Sequence, residues 1–250
     1  MENKKREYET FTFETHDRVG VFDFKGKAFF NAGKLYDMEP IVSSFKECSD
    51  DPNLKVIVVK RVREKKDSKE YMEFIRHVAH SSDKLEIQKM LNFYNRFIAE
   101  VYSQDKFVLS VDSGNVVAQF LSISLACDYR IITDDTVIQK EYFHNGMVPK
   151  GGATFFLSQI VGKKKAYEIL LSGDDITAAQ ALEMGLVDEV VPAAQLDEAT
   201  MKTAMHYAGL PRQTLTGIKR LMNFTTVDLK KYLEYENHVI VEIFSRLKVD

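Results

Sequence analysis

Residues 141–144 read Glu-Tyr-Phe-His, so Glu141, Tyr142 and His144 bring a carboxylate, a phenol and an imidazole within four positions. An imidazole such as His144 suits a general base near neutral pH, and the Tyr142 hydroxyl can donate to an oxygen that gains charge. The competing reading is a polar loop that faces solvent or a neighbouring subunit. Upstream, Lys60, Arg61, Arg63, Lys65, Lys66 and Lys69 crowd a polar stretch, either an anion-binding patch or a solvated loop. His77 and His80 share a helix face, but no third ligand lies near them in sequence and no metal is expected. A G-x-S-x-G elbow is missing, which argues against a serine hydrolase.

The elements that must position these groups alternate along the chain. Residues 8–24 predict two short strands joined at His16-Asp17-Arg18, and 33–48 has helical spacing that Asp51-Pro52-Asn53 ends. Val56-Ile57-Val58-Val59 is a continuous β-branched run, the mark of a strand buried on both faces. A long helical pattern covers about 71–102. The stretch LSVDSGNVVAQFLSISLACDYRI, residues 109–131, reads as a strand, a turn at Gly114, a buried helix over 115–126 and a further strand. Asp112 is expected to support that turn through an Asx-type hydrogen bond, and Cys127, Asp128 and Arg130 read as fold residues. Two short helices between Gly162 and Gly185, the second capped by Thr177, precede a strand that Pro192 stops. The remainder is helical, interrupted at Gly209-Leu210-Pro211. The alternation predicts an α/β core over 1–192 and a helical region over 193–250.

With 250 residues, 45% hydrophobic content and a formal net charge of -3, the chain can bury a sizeable core and has no global attraction for nucleic acid. No apolar run approaches the length of a membrane span, and the opening MENKKREYE is too charged for a signal peptide. Two cysteines, Cys48 and Cys127, are too few for a disulfide framework, so a cytoplasmic setting is expected.

Four motifs then follow in order. They are the strand-Gly114-helix unit ending in Ala126-Cys127-Asp128-Tyr129-Arg130, and Gly146-Met147-Val148-Pro149 with Gly151-Gly152-Ala153-Thr154. Next come Gly162-Lys163-Lys164-Lys165-Ala166 with Leu170-Leu171-Ser172-Gly173, and Ala178 through Gly185-Leu186-Val187-Asp188 to Val191-Pro192. In this order and spacing they resemble the crotonase (enoyl-CoA hydratase/isomerase) superfamily. The resemblance implies an α/β crotonase (ClpP-like) spiral of ββα units with a helical C-terminal region that builds a trimer or a dimer of trimers. It also implies an acyl-CoA or acyl-carrier thioester as ligand, with CoA entering as part of the substrate and no separate cofactor. Two backbone amides would stabilise its enolate, one of them at a helix start where the dipole favours negative charge.

Counting back from Cys127-Asp128, that family's three glycines fall on Ala118, Gln119 and Phe120, so the resemblance assigns one amide to Gln119. Gly114, Ala118 and Phe120 would then lie against the thioester. A backbone donor does not require glycine, which supplies conformational freedom and room. The second amide falls near Glu70, and Lys66 with the neighbouring cations would meet the phosphates of CoA. The family's two hydratase glutamates fall on Ser122 and Tyr142, neither a carboxylate. The family's last helix, which carries Phe and Lys toward a neighbouring CoA, has no match here. Ordinary hydration is therefore not expected. Isomerisation or another enolate-forming lyase reaction is expected, with Glu141, Tyr142 and His144 at the mouth of the pocket. The alternative is a non-catalytic scaffold or regulatory subunit whose site is filled by Gln119, Phe120 or Tyr142.

Overall fold

The β-branched run at 56–59 is buried because its strand lies inside a seven-stranded sheet. The computed structural model describes residues 4–25, 38–61, 73, 76, 84–224 and 229–246. In chain order the sheet's strands are β1 (Lys5–Glu7), β2 (Phe11–His16), β3 (Val19–Phe24), β4 (Val56–Arg61), β5 (Phe107–Asp112), β7 (Tyr129–Thr133) and β10 (Glu189–Val191). The two pairings at the β1 edge are antiparallel and the rest are parallel. The edge strand β1 is fully exposed and goes unannounced in the sequence, which has no apolar alternation there.

Alternate residues of β4 serve different cores, as a two-residue period demands. Ile57 and Val59 join Phe11, Phe22, Phe45, Phe97 and Ile98 beneath α1 (Met38–Asp50), α2 (Lys84–Tyr102) and α3 (Ala118–Ala126). Val56 and Val58 join Val19, Leu109, Val111 and Ile131 on the other face, which α8 (Leu196–Gly209) covers with Leu196, Ala204 and Ala208.

The helix expected from residue 115 begins at Ala118 instead. Asn115–Val116 form β6, which pairs parallel with β8 (Val137–Ile138), and β8 pairs antiparallel with β9 (Ile176–Thr177). The β-branched Val116 finds a strand partner that local spacing does not reveal. Four short helices follow: α4 (Glu141–His144), α5 (Ala153–Ile160), α6 (Gly162–Leu171) and α7 (Ala178–Glu183). Thr177 caps α7 in a reciprocal capping box with Gln180, as its position predicts.

The chain ends in α8, α9 (Arg212–Phe224) and α10 (Leu229–Arg246), with the break at 209–211 where Gly and Pro stand. The α9 helix leaves Ile218, Leu221, Met222 and Phe224 exposed beside a groove of about 590 Å³. The α10 helix packs back on α2 of its own chain. No described helix is long and apolar enough to cross a membrane. This mixed α/β plan with C-terminal helices is the one the sequence predicts.

Candidate active site

The turn after β5 is bolted to the end of β4. Arg61 is buried, and its Nε donates to Asp112 Oδ1 at 3.0 Å, while Nη1 and Nη2 reach the Asn115 carbonyl at 3.2 and 3.3 Å. Ser110 Oγ donates to the other Asp112 oxygen at 2.8 Å. Asp112 thus holds the turn through a guanidinium rather than through an Asx hydrogen bond. Gly114 takes φ of 68°, a left-handed conformation that favours glycine. Nor is Arg61 available to a phosphate, and Lys60 is engaged by Asp197 at 2.7 Å and Asp23 at 3.9 Å. Glu70, Lys66, Arg63, Lys65 and Lys69 lie outside the described residues, as do His77 and His80.

Helix α3 starts from an extended N-cap, Val117, that supplies no side-chain hydrogen bond. The first N–H returned to the cap belongs to Leu121, which donates to the Val117 carbonyl at 3.0 Å. The amides of Ala118, Gln119 and Phe120 belong to the first turn, where no intrahelical acceptor exists. The Gln119 amide therefore stands at a helix start, while the side chains of 118–120 lie outside the described residues.

One turn further, Ser122 is fully buried and donates to the carbonyl of Lys150. Tyr142 is also buried, and its hydroxyl faces the Leu170 carbonyl at 3.4 Å. Burial pushes its phenol up to about 12, so it is a donor at neutral pH. Tyr142 does not share a direction with Glu141 and His144, because neighbouring residues of a helical turn point about 100° apart. Tyr142 faces inward toward α6, Glu141 is half-buried, and His144 is exposed with its ring 5.8 Å from that of Phe143.

A second polar cluster draws on three elements far apart in the sequence. Lys150 Nζ donates to Asn95 Oδ1 of α2 and Asn237 Oδ1 of α10, both at 2.8 Å, and lies 5.5 Å from the centre of the Tyr94 ring. Glu236 of α10 accepts the N–H groups of Gly151 at 2.7 Å and Gly152 at 2.9 Å. Asn95 Nδ2 donates to the Leu233 carbonyl at 2.9 Å, closing the link between α2 and α10. Gly151 has φ of 78°, and an added Cβ would meet Tyr94 at 2.3 Å and Ser122 at 3.0 Å, so the turn admits nothing larger. Burial drives the Lys150 amine down to about 8, against the attraction of Glu236. Burial also raises the Glu236 carboxyl, outweighing Lys150 and the two N–H donors. The signal for this cluster was present: Glu236 stands in the stripe Leu229, Leu233, Ile240, all buried, where an apolar residue would be expected.

The family model for enoyl-CoA hydratase/isomerase matches residues 14–250. Among solved structures, an enoyl-CoA hydratase from Bacillus halodurans superposes with a TM-score of 0.83 at 19% identity, covering 95% of this chain and 96% of that one. One from Geobacillus kaustophilus gives 0.77 at 22% identity, with coverages of 99% and 92%. Another from Mycobacterium avium subsp. paratuberculosis gives 0.77 at 19%, with 96% and 94%. Those identities speak to the fold, whereas the family match spans nearly the whole sequence. On that match and this architecture, the chain belongs to the crotonase (enoyl-CoA hydratase/isomerase) family.

Proposed function

We propose that this protein binds an acyl-CoA or acyl-carrier thioester and stabilises its enolate, acting as an isomerase or lyase and not as an ordinary hydratase. The observation that carries the reading is the start of α3: a Gly114 turn braced by Arg61 and Asp112 presents the Gln119 amide at a helix N-terminus. Such a preorganised donor is worth about 3–4 kcal/mol to a developing oxyanion. Hydration would need a water held by carboxylates, and Ser122 and Tyr142 occupy those positions. The cytoplasmic setting and CoA as part of the substrate belong to the same proposal.

The test is calorimetry with CoA, butyryl-CoA and crotonyl-CoA, followed by NMR detection of α-proton exchange of butyryl-CoA in D2O. Binding and exchange without hydration of crotonyl-CoA are expected. A second reading, a non-catalytic scaffold, is favoured by the complete burial of Ser122 and the burial of Tyr142. Absence of heat and of any thermal shift with all three compounds would establish it and overturn the first.

Self-association as a trimer, or a dimer of trimers, is part of the proposal. Phe224 is 76% exposed and Met222 70%, on a helix face that borders an apolar groove. Isolated large apolar residues need no partner, but a contiguous set marks an interface. Sedimentation equilibrium is expected to give a trimer or hexamer that Leu221→Glu/Phe224→Glu breaks to monomers; a monomeric wild type would refute it.

A further inference from the structure

We infer that Lys150 is the acid–base group of this site, taking the place of the family's carboxylates. This deepens the proposed function and rests on it. Four observations support the assignment. Gln119 and Ser122 lie one turn apart and so share a face of α3. Ser122 points at the Lys150 carbonyl, so a longer side chain at 122 would run into the turn that carries Lys150. Tyr94 and Ser122 both close on Gly151, and the Tyr94 ring lies under the Lys150 ammonium. The backbone of residue 150 therefore lies beside the first family carboxylate position, one helical turn from the oxyanion donor, and its side chain carries the amine from there to Asn95 and Asn237.

The way the amine is held suits proton transfer. Two of its three N–H bonds go to neutral amide oxygens, those of Asn95 and Asn237, which fix its place without fixing its charge. Glu236 gives its oxygens to the N–H groups of Gly151 and Gly152 rather than to the ammonium. The titratable groups facing Lys150 are Tyr94 from α2, and Glu236 with Tyr232 behind it from α10; α3 contributes Ser122, which does not titrate. An amine poised near neutral pH satisfies the requirement for general acid–base work.

The chemistry balances without a co-reactant. The neutral amine takes the α-proton of the thioester, and the C–H electron pair moves onto the carbonyl oxygen to give the enolate. The ammonium so formed returns the proton, to the α-carbon in exchange or to the γ-carbon in migration of a double bond.

The test is α-proton exchange of butyryl-CoA in D2O as a function of pH. The wild-type rate should rise to a plateau with a midpoint near 8, the value to which burial brings the amine. Lys150→Met and Lys150→Arg should bind butyryl-CoA yet lose exchange by about 100-fold or more, with the midpoint gone. Exchange that keeps its rate and midpoint in folded Lys150→Met overturns the role of Lys150 and leaves the enolate reading standing. Wild-type protein that binds without exchange overturns both. Should Lys150→Met not fold, acetic anhydride labelling of the native protein gives the answer. Acetylation of Lys150 should titrate with the same midpoint and be blocked by butyryl-CoA; labelling indifferent to the ester refutes the role.

Discussion

Two buried charge systems flank the start of α3, and they are built on opposite plans. Arg61 and Asp112 meet directly at 3.0 Å, and the guanidinium's further donors end on a backbone carbonyl. Lys150 and Glu236 are each held by other groups, amide oxygens for one and backbone N–H groups for the other. A guanidinium keeps its charge across the accessible pH range, whereas a desolvated ammonium gives up its proton. The first system therefore fixes the turn that presents the amide; the second joins α10 to the glycine turn through groups that can change charge. On the proposed reading, rigidity sits on the oxyanion side and titratability on the acid–base side.

The largest expected effect comes from breaking the rigid side. Arg61→Met leaves the Asp112 carboxylate buried without its partner and should cost about 3–5 kcal/mol in denaturant unfolding. The double change Arg61→Met/Asp112→Leu should recover most of that loss; a single variant as stable as wild type would remove the distinction drawn above.

The titratable side predicts a smaller, pH-dependent effect. An unfolded chain holds the lysine proton up to the usual 10.5, while the folded chain releases it from about 8. The unfolded state binds more protons in that window, so this group's contribution to stability rises as pH rises from 8 to 10.5. Glu236 works the other way at lower pH. Its folded carboxyl is raised above 4.5, the folded state holds the extra proton, and stability falls as pH climbs through that interval. Urea midpoints across pH should show an alkaline gain in wild type, on the order of 1–3 kcal/mol, that Lys150→Met lacks. Identical slopes in the two proteins would place Lys150 with Arg61 as a fixed structural charge.

What could be read in the sequence follows from the range of the interaction that determines it. The run 56–59, the cap at Thr177 and the glycines at 173 and 185 are local, and each appears where spacing places it. The helix α3 starts three residues later than its local spacing predicts because β6 is fixed by β8, on a strand over twenty residues away. The charge systems are invisible to local spacing for the same reason. Arg61 and Asp112 are 51 residues apart, and Lys150 and Asn237 are 87 apart. Nothing near Lys150 in the chain indicates that amide oxygens from two other helices will receive it. Glu236 alone left a trace, as a charge within an apolar stripe.

The placement of α8 has a consequence for biosynthesis. Once residue 191 has left the ribosome, every strand of the large sheet exists, yet Val19, Val56, Val58, Leu109, Val111 and Ile131 still lack the helix that shields them. Only when Ala204 and Ala208 emerge does that face close. A nascent chain paused between those points would display a sticky apolar sheet, the kind of surface that holdase chaperones bind and that aggregates when crowded.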